Sequence, residues 1–221
     1  LHEPTAVLRA RVGGDLATRT YTIGLERGKA RKLQLDEKRP RSLGAWHGTF
    51  PMVLFHPGDV ELAGGSPELR RAFLDRMLEQ LDPTYESALA TYQKALRSRN
   101  RLLKQDPIDP RSVRSYDQIL ADAGAIVGRA RASLVTSLAP RVQRAFHDVA
   151  GEELPLDVSY QPRVAPEREL LLRALEQAFQ KDCARGFTAD GPHADDLGLT
   201  VRAIAAKHHA SQGQQRAIVL A

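Results

Sequence analysis

Ala210-Ser211-Gln212-Gly213-Gln214-Gln215-Arg216, running into Ala217-Ile218-Val219-Leu220-Ala221, is the stretch on which the fold turns. A hydroxyl residue, a lone glycine and three glutamines stand directly before an apolar run that reads as a helix. Ser211 is placed to act as an N-cap, its oxygen accepting one of the unpaired N–H groups of the first turn. Gly213 has no Cβ, so the backbone there can approach a ligand closely. Free N–H groups and the positive end of the helix dipole together suit a phosphate. Taken alone, the same residues also describe a polar cap on an ordinary helix.

Working outward, residues 1 to about 55 read as β. Thr5 to Arg11 and Thr20 to Glu26 alternate at period two, and Gly13-Gly14-Asp15 between them is turn chemistry. Leu33 and Leu35 suggest a third short strand. Pro51-Met52-Val53-Leu54-Phe55 reads as a buried strand broken by His56-Pro57-Gly58-Asp59. From Ser66-Pro67-Glu68 the pattern becomes helical. Leu69, Phe73, Met77 and Leu81 share one face of the first helix. Tyr85, Leu89, Tyr92, Leu96 and Leu103 line the second, over Thr84 to Lys104. A longer helix is expected from Ser112 to Leu138, with Pro140 kinking or restarting it. Leu154 to Val164 reads as a strand and Glu167 to Asp182 as a helix. Gly186-Phe187-Thr188 and Leu197 to Val201 return to short β elements. The order is β-rich over 1–63, helical over 64–183 and mixed over 184–221, an α/β (mixed α+β) chain.

An apolar fraction of 42% is ample for a core. Aromatic residues are only 5%, so stacking on bases is not the main mode of any nucleic-acid binding. The net charge of +5 permits a polyanionic partner without demanding one. Cys183 is the single cysteine, which excludes an internal disulfide and fits a reducing cytoplasm. No apolar run reaches the ~18 residues of a membrane-spanning helix.

Four further stretches carry recognisable patterns: Phe55-His56-Pro57-Gly58-Asp59-Val60, Gly65-Ser66-Pro67-Glu68-Leu69-Arg70-Arg71-Ala72-Phe73-Leu74-Asp75, Tyr92 to Lys104, and Gly191-Pro192-His193-Ala194-Asp195-Asp196-Leu197. Together with Ser211 to Arg216 they occur in the order found in the RecF family of ABC-type ATPases, and the chain resembles that family over about residues 50 to 221. It departs at Ala194, where many members place a basic residue. No Gly-x-x-x-x-Gly-Lys-Ser/Thr stretch occurs among the 221 residues. The chain is accordingly expected to be the middle of a longer protein.

The resemblance implies an ABC-ATPase-like head of the P-loop NTPase type with an inserted helical domain. The head would comprise 1–63 and 184–221, and the insert 64–183. It implies ATP with Mg²⁺, whose ligands lie mostly outside this chain, and a weak DNA-dependent ATPase in the whole protein. Ser211, Gln212, Gly213 and Gln214 would form the signature motif, contacting the γ-phosphate held by the other copy of an ATP-dependent homodimer. DNA, single-stranded or at junctions and gaps, and the proteins RecO and RecR are the implied partners. The implied setting is replication, recombinational repair and the SOS response in the cytoplasm, with no membrane contact.

Other assignments rest on the residues themselves. Between Tyr85 and Lys104 there are five Lys/Arg (94, 97, 99, 101, 104) against one acid, Glu86. Lys94, Arg97, Arg101 and Lys104 share a face, which is either solvated or a phosphate-binding stripe for DNA. Arg71 and Asp75, at i and i+4, are spaced to pair. His193 with Asp195 and Asp196 has the composition of a metal site, although adjacent Asp residues point to opposite sides of a strand. A structured turn shaping the same interface as Arg216 is the alternative. His208 and His209 are expected on the surface. Two other functions stay open: a non-enzymatic basic helical module binding DNA or acting as a scaffold, and a metal hydrolase built on His193 and the two Asp.

Overall fold

A computed structural model describes residues 4–13, 18–41, 46, 55–151 and 154–221. The chain divides into two compact units. One holds residues 1–53 and 79–83; the other holds 54–78 and 84–221.

In the first unit, β1 (Thr5–Gly13), β2 (Thr18–Glu26) and β3 (Lys32–Leu35) form an antiparallel meander in that order. The expected hairpin and third strand are both present. Leu8 stands opposite Ile23, and Ile23 opposite Leu33. The hairpin turn at Gly14-Asp15 and the strand expected over Pro51 to Leu54 lie outside the described residues. Phe55 is described, and it is exposed rather than buried in a strand. Asp36 sits in a left-handed turn and accepts hydrogen bonds from the Thr20 N–H and the Arg19 guanidinium. Those two bonds hold its carboxyl below the usual range. Trp46 is buried with its ring edge-on to Tyr21, centroids 4.9 Å apart.

The second unit begins with a short 3-10 turn at Pro57–Val60. His56 caps it by accepting the Gly58 N–H, while Asp59 accepts the His56 N–H. The helices follow: α1 (Glu61–Gly64), α2 (Pro67–Leu81), α3 (Pro83–Leu102) and α4 (Pro110–Ala150). Then come β4 (Leu156–Gln161), α5 (Arg168–Arg185), β5 (Asp196–Val201), β6 (Ile204–Ala205), α6 (Ala206–His209) and α7 (Gln212–Leu220). β4, β5 and β6 form a small antiparallel sheet. One core gathers Leu74, Leu89, Val127, Phe146, Val158, Leu197 and Ile218, so the C-terminal helix and the sheet share their packing with the long helices.

Three expectations are corrected. The buried face of α2 is Arg70, Leu74 and Leu78, one residue on from the expected face, and Leu69 and Leu81 are exposed. Arg70 is drawn inside by carboxylate and carbonyl partners, and the helix rotates to suit. Pro140 does not interrupt α4, which runs unbroken for 41 residues. Proline removes one bond, to the carbonyl of Thr136; both residues are exposed, so water can replace it. Buried Val135 and Phe146 anchor the turns on either side. Gly186-Phe187-Thr188 is no strand but the left-handed close of α5 and the loop after it, because the Gly186 N–H bonds the Asp182 carbonyl at 2.8 Å.

Candidate functional site

At the start of α7, Ser211 and Gln214 cap each other. The Ser211 hydroxyl oxygen accepts the Gln214 N–H at 3.2 Å, and Gln214 Oε1 accepts the Ser211 N–H at 2.8 Å. The first residues of a helix have no intrahelical acceptor for their N–H groups. Those of Gln212 and Gly213 therefore face outward, and Ser211, Gln212 and Gly213 are all exposed. A side chain at Gly213 would meet nothing nearer than the Ser211 hydroxyl at 3.8 Å. Ser211 accepts in the cap but keeps its own O–H free to donate. Behind this rim Ala217 and Ile218 are buried, and Gln215 donates to the Ala210 carbonyl at 3.2 Å. Lys207, His208, His209 and Arg216 are exposed around it, and residues 202–221 contain no acid. The start of α7 is thus a cradle of exposed donors in a stretch whose charged residues are all basic.

The second constellation is the loop Gly191 to Asp196, fastened at nearly every residue. Gly191 has φ 138°, and a Cβ there would lie 2.5 Å from the Tyr92 hydroxyl, so only glycine fits. The Pro192 carbonyl accepts from Arg131 at 2.7 Å. His193 Nδ1 lies 2.6 Å from the Tyr92 hydroxyl, and its Nε2 lies 2.9 Å from the Thr188 carbonyl. A carbonyl can only accept, so Nε2 carries the proton and Nδ1 accepts from Tyr92. Burial holds the ring below its ordinary pKa, in keeping with that neutral form. The Asp195 carboxylate accepts from Tyr160 and from the Arg163 N–H, and its carbonyl accepts from Arg71 at 2.6 Å. Burial raises the Asp195 pKa. Asp196 receives both arms of Arg70, at 2.7 and 2.9 Å. Ala194 alone is exposed, its N–H bonded to the Gly191 carbonyl at 2.8 Å.

His193, Asp195 and Asp196 therefore do not converge on a metal; each is engaged elsewhere. Among the described residues no group of three or more His, Cys, Asp or Glu is arranged for one. The expected Arg71–Asp75 pair is also absent. Arg71 reaches Glu68 and Asp195, while Asp75 takes a two-armed contact from Arg131 and a hydrogen bond from Tyr85. Those partners are more deeply buried, so the carboxylate is satisfied inward.

Lys94, Arg97 and Arg101 on α3, and Lys104 two residues past its end, are all exposed, and none forms an ion pair among the described residues. Arg99 is not part of this surface. It is fully buried, with Nε on Asp117 at 2.7 Å and Nη1 on Asp182 at 2.7 Å and Thr188 at 2.8 Å. The expected charge imbalance thus drops to four surface cations, with the fifth serving the core.

The buried arginines 70, 99 and 131 are what sequence reasoning passed over. A signal existed: Tyr85, Leu89, Tyr92, Leu96, Arg99 and Leu103 continue one three-four spacing, which places Arg99 on the apolar face. Val113, Asp117, Leu120, Gly124, Val127, Arg131 and Leu134 do the same on α4.

No protein-family model matches the chain. Curated proteins do. The DNA replication and repair protein RecF of Myxococcus xanthus is 37% identical over 204 residues, 87% of this chain and 54% of that protein. Its counterpart in Anaeromyxobacter is 36% identical over 226 residues, 98% of this chain and 60% of its own length. The chain belongs to the RecF family. It spans a little over half the length of these two RecF relatives. A solved structure of the recombination mediator protein RecF with ATP, in the RecFOR pathway, superposes with a TM-score of 0.89 at 24% identity, covering 99% of this chain and 61% of its own. A second RecF structure, with ATPrS, gives 0.88. The ABC-ATPase-like mixed α/β fold expected from the resemblance is the fold observed.

Proposed function

We propose that this chain supplies the signature-bearing part of an ATP-dependent DNA replication and repair protein. The observation that carries the reading is the capped, exposed start of α7. It presents two unpaired N–H groups and a free hydroxyl donor on a basic rim, as a phosphate in another subunit requires. Ser211 and the Gly213 N–H contact the γ-phosphate of ATP bound by a partner copy, and Gln212 and Gln214 frame the loop. Positioned donors stabilise charge developing on the transferred phosphoryl group, and bound Mg²⁺ would neutralise part of it. Its ligands would lie mostly outside this chain, so the present residues orient the phosphate and exclude water rather than hold the metal. Arg216, exposed beside the cradle, lines the interface between copies. His193, Asp195 and Asp196 fix the Gly191–Asp196 loop and through it shape the same interface.

The division into a head (1–63 and 184–221) and a helical insert (64–183) belongs to this reading, with the stripe Lys94, Arg97, Arg101 and Lys104 contacting DNA phosphates. ATP-driven closure of two copies would organise that surface for recombinase loading at gapped or junction DNA, in the cytoplasm, with RecO and RecR as partners. No helix among the described residues is long and apolar enough to cross a membrane.

The test uses the complete protein and follows its mass by light scattering on ATP addition, for wild type and Ser211→Arg. Dimerisation that needs ATP and is lost with the bulky cation supports the reading. Mass indifferent to ATP in both removes it. The four unpaired cations favour a second reading, a DNA-binding module with no nucleotide role. In that case DNA affinity falls with salt, ignores ATP and is unaffected by Ser211→Arg.

A further inference from the structure

The basic stripe of α3 does not end on α3. Its last member, Lys104, lies along the close of α5: a Cβ built on Gly186 would be 3.4 Å from Lys104 Cγ. Gly186 turns the chain through the left-handed region, and the next residue, Phe187, stands 48% exposed.

The residues on both sides of Phe187 are hydrogen-bonded into the fold. On its left, the Gly186 N–H is bound to Asp182. On its right, buried Thr188 gives both its N–H and its hydroxyl to Asn100 Oδ1, at 2.8 and 2.7 Å, and accepts from Arg99. Asn100 is in the last turn of α3 and Lys104 lies two residues past its end, so the loop runs beside the end of the stripe. Lys104 lies against Gly186, Arg185 precedes Phe187 by two residues, and Arg101 and Lys181 stand one turn earlier in the chain than Lys104 and Arg185. All four are exposed, with no ion pair among the described residues.

We propose that Phe187 and its basic surround form a binding site for an unstacked nucleotide base, with Arg101, Lys104 and Arg185 taking the flanking phosphates. An aromatic face among free cations matches nucleic acid, whose backbone is anionic and whose bases have π-faces. Only an unstacked base offers that face, so the site prefers single-stranded or tailed DNA to blunt duplex. A loop already bonded on both sides of Phe187 binds without the entropy cost of ordering it. This inference rests on α3 being the DNA surface and adds the feature of DNA that the end of the helical arm selects.

The experiment measures fluorescence anisotropy of the complete protein with a blunt duplex and with the same duplex carrying a single-stranded tail, across a salt series. Phe187→Ala should weaken tailed-DNA binding about tenfold, in line with a stacking contribution of roughly 1–3 kcal/mol, and leave the blunt duplex unchanged. Phe187→Tyr should retain affinity and Phe187→Leu should not. Lys104→Gln should weaken both substrates and lower the salt slope by about one. Equal affinity of wild type and Phe187→Ala for tailed DNA overturns the proposal, as does Phe187→Leu matching Phe187→Tyr, which would mark an apolar protein-docking anchor instead. If wild type binds neither DNA in a salt-dependent way, the DNA reading of α3 falls with it.

Discussion

Arg99 ties three helices of the second unit together. It joins α3 to Asp117 on α4 and Asp182 on α5, and through Thr188 to the loop before the His193 segment. Its Nη2 and the Asp117 Oδ2 are buried without a partner among the described residues. Burial also pushes the Asp117 carboxyl up against the pull of the guanidinium, which moves the triad of one cation and two acids toward neutrality. Arg99→Leu should therefore cost about 3–5 kcal/mol, because it strands two buried acids. Replacing Arg99, Asp117 and Asp182 together by leucines should recover most of that loss, as read from urea denaturation midpoints. Ser211 shows the opposite situation. Its cap bonds a residue three positions on, so local pattern revealed it. Arg99 and Asp182 are 83 positions apart, and no local rule names that partner, although the spacing along α3 marks Arg99 as inward-facing.

At the scale of elements, the helices were legible because their apolar spacing is long and regular, and their starts carry proline or an acidic cap, as at Asp109 before α4. What escaped was set by tertiary context: the rotation of α2 toward Arg70, and the persistence of α4 through Pro140. The hairpin between β5 and β6 shows a local rule broken outright. Its two turn residues, Arg202 and Ala203, both have positive φ, 51° and 62°. Such a turn favours glycine or asparagine, and alanine in that region costs about 1–2 kcal/mol. Ala203→Gly should raise stability by about 1 kcal/mol, seen as a higher melting temperature with an unchanged far-ultraviolet spectrum. The same hairpin leads directly into α6 and the Ser211 cradle, so a variant with lower ATP-driven association at higher stability would show that the strain tunes the site.

At the scale of the whole molecule, pH enters through His193. Burial lowers its folded pKa, whereas the unfolded value is about 6.5. Between those values the unfolded chain binds a proton that the folded chain refuses. Stability should therefore rise with pH through that window and level off above about 6.5, with a slope of up to about 1.4 kcal/mol per pH unit. His193→Gln should flatten the curve in denaturant titrations between pH 5 and 7.5. Asp195 acts lower and with opposite sign: its raised folded pKa makes stability fall as pH climbs above about 3.8. The five sequence stretches that carried the family resemblance all fall within the second unit, and four of them are visibly joined. Arg70 binds Asp196, Arg71 binds the Asp195 carbonyl, Tyr92 meets His193, and Gln215 abuts Gly64 just ahead of the second stretch. The order of the stretches could be read along the chain; their convergence needed the fold.

The unbroken α4 gives that convergence a mechanical meaning. At 1.5 Å per residue, its 41 residues make a rod about 60 Å long. Arg131 pins it to the Pro192 carbonyl about 31 Å from its first residue. Its far end packs with Leu103 and Phe179, at the extremity that carries Lys104 and Phe187. Between that bond and the far end α4 is one continuous helix, so the Gly191–Asp196 loop and the Lys104 end are set on a single rod. The separation of those two places is therefore set by the length of one helix rather than by the loops between them.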